Sequence, residues 1–214
     1  PSVFAHDTAA SFSVVAPERG SFGFGFTFGE IDSLMVSNRP GRPGDAGPNL
    51  GRDLGVPQTE MRFYDCSLAA PAANLAMDEA LLHWCAARPG EEVLRVWTPP
   101  SWFVVLGQSN RHALEVRGAA CAAEGVPILR RCSGGGTVLQ GPGCLNYALV
   151  LEVADRPGIA TVGRANRTIM DVHRGALAEL LGRPVGVEGI TDLTVDGRKF
   201  SGNAQRRTRG HVLF

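Results

Sequence analysis

Two cations, a hydroxyl and three consecutive glycines stand together in Arg130-Arg131-Cys132-Ser133-Gly134-Gly135-Gly136-Thr137-Val138-Leu139. A backbone without Cβ atoms lets its N–H groups turn toward a phosphate or carboxylate and approach it closely, and guanidiniums alongside add charge. A glycine triplet alone is more often a tight structural turn; Arg130, Arg131 and Ser133 shift the reading toward an anion site. The second candidate is Lys199, two residues beyond the pair Asp196-Gly197. An Asp-Gly pair between strand-like runs, here Thr191 to Val195 and Arg198 to Arg207, marks a hairpin, so Lys199 is expected on a strand rather than a mobile loop. Taken alone, a hairpin lysine is ordinarily solvated. Paired with a glycine loop, it suits chemistry that brings a phosphate and a carboxylate together.

The elements that must position these groups follow from periodicity. Val126-Pro127-Ile128-Leu129 reads as a short strand entering the glycine loop, and Leu145 to Val153 as a long apolar strand after it. Upstream, Arg62 to Asp65 and Val93 to Trp97 read as strands. Trp102 to Leu106 reads as another, and the short Pro99-Pro100 turn favours Val93 to Trp97 as its antiparallel partner. Helices are expected over Pro71–Ala87, over Ala113–Glu124 and over Arg164–Leu181. The last has Ile169, Val172, Ala176, Leu177 and Leu180 on a 3.6-residue period and Gly182 as its stop. Asp78 and Glu79 read as a solvated helix face, and His173 as a partly buried structural histidine. Residues 1–60 differ: Phe22 to Phe28 alternates Phe with Gly or Thr, and Asn38 to Gly55 is rich in Gly, Pro, Asn and Arg without periodicity. That segment reads as a low-complexity or disordered extension, with 61–214 as the folded unit.

Composition sets outer bounds. A chain of 214 residues with 44% hydrophobic and 20% charged residues is long enough for a sizeable core. Zero formal net charge argues against a general nucleic-acid binder. No apolar run reaches the roughly 18 residues that span a bilayer, and no secretory leader pattern opens the chain. Five dispersed cysteines without a Cys-x-x-Cys pair point to reduced thiols in a cytoplasm, and no residue set is assigned to a resident metal. Two common phosphate motifs are absent. There is no Gly-x-x-x-x-Gly-Lys-Ser/Thr, and a Gly-x-Gly-x-x-Gly frame begun at Gly134 meets Leu139 at its last glycine.

Several motifs jointly resemble the lipoate–protein ligase A family. They are Arg130-Arg131-x-Ser133-Gly134-Gly135-Gly136-Thr137-Val138, Leu145-Asn146, Asp192-Leu193 and Gly197-Arg198-Lys199-Phe200-Ser201-Gly202-Asn203-Ala204-Gln205. Asn74-Leu75-Ala76-x-Asp78-Glu79 and Val104-Val105-Leu106-Gly107 are similar to its amino-terminal blocks. The resemblance implies the biotin/lipoate ligase catalytic fold, an α+β arrangement in which a mixed, largely antiparallel sheet is flanked by helices. It implies a two-step reaction: lipoate attacks the α-phosphate of Mg2+-ATP to give lipoyl-adenylate, and a lysine of a lipoyl (acyl-carrier) domain then displaces AMP. Lys199 matches the family's essential lysine. Arg131, Gly136, Thr137, Val138, Leu139 and Asp192, with Lys199, match nucleotide-binding positions. Ser133, Gly134 and Gly135, again with Lys199, would line the lipoyl group, whose chain needs an apolar slot on the sheet's inner face.

This sequence departs from the pattern at Gln140, where many relatives have histidine, and at Thr191, where many have asparagine. The family pattern also continues beyond His211 to Phe214, so the expected unit is truncated at its carboxyl end: a fragment, or one that works with an accessory subunit. A biotin ligase is a weaker rival, its glycine loop being richer in arginine, and two further competitors remain. An octanoyl- or lipoyl-transferase of the same fold needs a cysteine nucleophile instead of ATP, and no cysteine follows Cys144. A non-catalytic protein binding an acyl-carrier domain is the other.

Overall fold

The structure, a computed structural model, describes residues 61–214; the expectations for Phe22 to Phe28 and Asn38 to Gly55 fall outside them. A five-stranded sheet carries the fold, in the order β1 (Met61–Asp65), β2 (Glu92–Trp97), β6 (Asn146–Glu152), β11 (His211–Leu213), β10 (Arg206–Arg207). Strands β1 and β2 run parallel, and the other pairings are antiparallel. Strand β6 is apolar almost throughout because both its faces are covered. Ala148 and Val150 pack toward helix α1 (Pro71–Ala86), alongside Met77, Leu81 and Trp84. Leu149 and Leu151 face the opposite way, toward helix α4 (Val162–Leu181), where Ala165, Ile169 and Met170 are buried. Alternation of two along the strand thus splits one apolar run between two cores.

Local signals set the helix ends. Pro71 opens α1, where a missing N–H costs nothing. Thr161 caps α4 by accepting from the Arg164 N–H, and Gly182 ends it in the left-handed region at φ 62°. The buried face of α4 is rotated from the expected one. Ala165, Ile169 and Met170 lie inward, whereas Val172 and Leu180 are 64% and 80% exposed. The helix expected over 113–124 is two short ones, α2 (His112–Glu115) and α3 (Gly118–Ala123), because Val116 is extended at φ −135° and ψ 136°.

Strand β3 (Phe103–Leu106) does not pair with β2. Both edges of β2 are filled, by β1 and β6, and a strand has only two. The turn through Pro99-Pro100 instead carries the chain to a second sheet, where β3 lies between β4 (Ile128–Arg130), parallel, and β5 (Val138–Gln140), antiparallel. The third sheet is β7 (Gly186–Glu188), β8 (Asp192–Val195) and β9 (Arg198–Gly202), all antiparallel. The run expected as one strand from Arg198 to Arg207 is therefore two, with β9 in the hairpin and β10 back in the main sheet. Phe214 is buried and exchanges both backbone hydrogen bonds with Leu149. All five cysteines are free thiols. No helix among the described residues is long and apolar enough to cross a membrane.

Candidate active site

The three sheets meet around a cavity of about 300 Å³. Leu75, Trp97 and Val105 supply an apolar wall, the glycine loop another, and the β8–β9 hairpin a third. The structure therefore brings Arg131, Ser133, Gly135, Gly136, Thr137 and Val138 to one cavity with Asp192 and Lys199. Gly134 and Leu139 stand in the same loop and strand without lining the cavity, and Leu139 is 58% exposed.

The glycine loop is organised by a guanidinium from beneath. Arg131 donates from Nε to Ser133 Oγ at 3.1 Å and to the Gly134 carbonyl at 3.1 Å, and from Nη2 to the carbonyls of Gly134 and Gly136 at 2.5 and 2.8 Å. Drawing these carbonyls to one side leaves the loop amides for the other. The backbone N–H groups of Gly135, Gly136 and Thr137 bond to no other described residue. Nor does Arg131 have a carboxylate partner among the described residues, and burial pulls its pKa down. A largely buried cation without a counter-charge, beside three unpaired amides, is a place where an anion gains from two sources at once. Arg130 has a different role. Its Nη1 donates to the carbonyls of Gly107, Gln108 and Asn110 at 2.7, 3.0 and 2.9 Å, fixing the neighbouring loop.

That neighbouring loop touches the glycine loop at Gly107. A Cβ there would fall 2.2 Å from the Gly135 carbonyl oxygen and 2.3 Å from Asn110 Oδ1, so only glycine fits. Gly107→Ala is expected to cost about 1–3 kcal/mol of stability through overpacking, measured by urea titration of wild type and variant.

Lys199 is delivered by the hairpin. Asp196 and Gly197 take left-handed φ of 51° and 69°, as a tight two-residue turn requires. A bulge between Leu193 and Thr194 pairs Thr194 with Lys199 and Leu193 with Ser201, leaving Phe200 unpaired and 48% exposed. Past this bulge the Lys199 side chain runs forward along β9 to the open end of the hairpin, where Asp192 pairs with Gly202. Its Nζ lies 2.7 Å from Asp192 Oδ2 and its side chain crosses Gly202, where a Cβ would sit 3.1 Å from Lys199 Cε. The ammonium is thus held by one carboxylate yet half exposed to the cavity.

Asp78 corrects the sequence reading. It is not on a solvated face: Oδ1 accepts from Arg95 Nη1 at 2.6 Å and Oδ2 from Trp97 Nε1 at 3.1 Å, at the cavity wall. Desolvation pushes its carboxyl above the usual range while Arg95 pulls the other way. Arg95 is fully buried and also donates to Asn74 Oδ1 and to the carbonyls of Cys66 and Asn74. Two polar residues four apart on an apolar helix, and an arginine inside an apolar strand, were the available signals. Thr137 Oγ1, Gln140 Oε1 and Asn146 Nδ2, on residues that line the same cavity, are buried without a hydrogen-bond partner among the described residues.

Residues 70–214 match the family model for the lipoyl protein ligase A/B catalytic domain. The chain belongs to that family. Lipoate-protein ligase LplJ of Bacillus subtilis is 30% identical over 148 residues, covering 67% of this chain and 40% of the relative. Octanoyltransferase LipM of the same organism is 28% identical over 181 residues, covering 71% and 62%. An octanoyl-[GcvH]:protein N-octanoyltransferase of Kyrpidia tusciae is 34% identical over 156 residues, covering 65% and 54%. The chain thus spans less than two thirds of the length of these relatives. Among solved structures, a lipoate-protein ligase A bound with ATP superposes with a TM-score of 0.62 at 24% identity, covering 72% of this chain and 64% of the other. The bi-partite lipoate protein ligase of Thermoplasma acidophilum gives 0.63 at 23%, covering 72% and 59%. These likenesses establish the fold, the mixed and largely antiparallel arrangement expected from sequence. The family contains both ligases and octanoyltransferases.

Proposed function

We propose that this chain is the catalytic part of an ATP-dependent lipoate–protein ligase. The observation that carries the reading is the pairing, on one cavity, of the Lys199 ammonium with a glycine loop whose half-buried Arg131 has no carboxylate partner among the described residues. Two anions must meet in the first step. A carboxylate oxygen of lipoate bonds to the α-phosphorus of Mg2+-ATP, the bond from that phosphorus to the bridging oxygen breaks, and magnesium pyrophosphate leaves. Fixed positive charge lowers the cost of that meeting and follows the charge as it spreads in the transition state. Lys199 would lie between acyl carboxylate and α-phosphate. Arg131, Gly136, Thr137, Val138, Leu139 and Asp192 would hold the nucleotide, and Ser133, Gly134 and Gly135 the acyl group against Leu75, Trp97 and Val105. In the second step the neutral ε-amine of a carrier-domain lysine attacks the acyl carbonyl and AMP departs. A lipoyl domain as acceptor and a cytoplasmic setting belong to the same reading, and a ligase solved with its E2 lipoyl domain shares the fold.

The transferase relatives favour one rival, in which a thiolate takes the acyl group. Cys132 is the cysteine on the cavity, and burial pushes its thiol up to about 12. Such a thiol is protonated near neutrality and is a poor nucleophile. Cys132→Ser is expected to keep activity within about twofold, since no thiolate acts in the proposed chemistry. Mass spectrometry of an apo lipoyl domain distinguishes the readings. Incubation with lipoate and Mg2+-ATP should add a lipoyl group, whereas octanoyl carrier protein without ATP should add nothing. The reverse pattern would establish the transferase, and no product in either tube would favour a non-catalytic carrier-binding protein.

A further inference from the structure

The lysine hairpin is tied to the main sheet by a chain of hydrogen bonds that the chemistry above does not use. Tyr147 of β6 donates its hydroxyl to Asn203 Oδ1 at 2.6 Å, and His173 Nδ1 of α4 lies 3.1 Å from the same hydroxyl. The two rings stand edge to face, 4.8 Å between centroids at 88°. Asn203 follows β9 directly and closes the open end of the hairpin. Its amide Nδ2 donates to the Thr191 carbonyl at 2.8 Å, its backbone N–H donates to the same carbonyl at 3.2 Å, and its own carbonyl accepts from the Thr191 hydroxyl at 2.6 Å. Lys199 crosses Gly202, the residue before Asn203.

The directions of these bonds fix one proton. Asn203 gives its NH2 to Thr191, so Oδ1 faces Tyr147 as an acceptor. The phenol has a single proton and gives it to Asn203, so its oxygen can only accept from His173. His173 therefore carries its proton on Nδ1. Burial pushes the phenol above its usual range, which keeps Tyr147 a donor, and pulls His173 down.

We propose that Tyr147, oriented by His173, is a positioning residue: through Asn203 it sets where the β8–β9 hairpin places Lys199 in the cavity. The inference rests on the ligase reading of Lys199. The hairpin sheet shares no ladder with the main sheet. Its apolar attachment, Val185 and Leu193 against the α4 core, is non-directional and tolerates small slides. A short bond into a partly buried phenol fixes direction as well as distance, and Asn203 is the point at which the chain leaves β9 to rejoin the main sheet as β10.

The test is a double-mutant cycle of Tyr147→Phe and Asn203→Ser, read by lipoate-dependent ATP–pyrophosphate exchange. A misplacement of order an ångström costs up to about 100-fold in rate, so each single variant should lose about ten- to 100-fold in kcat. KM for ATP should stay within about twofold and Tm should be nearly unchanged. The double variant should be no slower than the worse single one, because both break one tie. Unchanged kcat in Tyr147→Phe, multiplied losses in the double variant, or losses that appear only with a falling Tm would overturn the proposal. Two readouts do not need activity. Amide deuterium exchange across residues 191–203 should accelerate in Tyr147→Phe, and 15N spectra of the wild type should show His173 protonated on Nδ1. Unchanged exchange, or an Nε2–H tautomer, overturns the proposal even if the wild type activates no acid, a result that would separately defeat the ligase reading.

Discussion

Lys199→Ala is expected to abolish lipoate-dependent ATP–pyrophosphate exchange, with a fall of at least about 100- to 1,000-fold, the loss typical when one preorganised charge stabiliser is removed. The residue is half exposed and bonded to Asp192 by a single ion pair, 2.7 Å long, so the fold does not depend on it. An exposed ion pair of this kind is worth about 0–1 kcal/mol. Activity and stability should therefore separate, with exchange lost and the thermal transition within a few degrees of wild type. Lys199→Arg is the sharper control. It keeps the charge, but a planar fork cannot reproduce a compact ammonium that must lie between two substrate oxygens. It should restore little of the lost exchange. Near-normal exchange in Lys199→Ala would remove the residue from the mechanism.

The largest effect on stability is expected at Arg95. Its guanidinium is fully buried, yet it reaches Asp78, Asn74 and the Cys66 carbonyl and so holds helix α1, strand β2 and the end of β1 together. Arg95→Ala would leave the Asp78 carboxylate and several polar groups buried without a donor, a loss of about 3–5 kcal/mol. For a folded unit of this size that corresponds to a fall of roughly 6–20 °C in Tm. Calorimetric melting checks it. Replacing both members with apolar residues, as in Arg95→Met with Asp78→Leu, should recover only the part of the loss that comes from the unpaired carboxylate, since the Cys66 and Asn74 carbonyls and Trp97 Nε1 still lose their partners. It should not recover activity to the same degree, because Asp78 and Trp97 both form the cavity wall.

Much of this molecule was legible along the chain because its signals are local. The Asp196-Gly197 turn, the Gly182 stop and the double-sided apolar run of β6 each specify their own conformation, and the glycine loop follows the strand expected before it, whereas the short strand β5 directly after it was not expected. What was not legible depends on which edges and faces are already occupied. Nothing in Trp102 to Leu106 announces that both edges of β2 are taken, so its partner was misassigned. The bulge that aims Lys199 is invisible in a run that alternates plausibly without it. Asp78 looks like a surface helix residue until Arg95, on a strand formed later in the chain, is brought 2.6 Å away. Arg130 and Arg131 show the same limit. Both read as anion ligands, but Arg130 anchors the loop at Gly107 and Arg131 organises the glycine carbonyls.

Incorporation of labelled pyrophosphate into ATP, measured with wild-type protein with and without lipoate, tests the central claim most directly. Adenylate formation by Lys199 and the glycine loop predicts exchange that requires lipoate and needs no carrier domain. Absence of exchange, together with octanoyl transfer to the carrier domain in the absence of ATP, would contradict it.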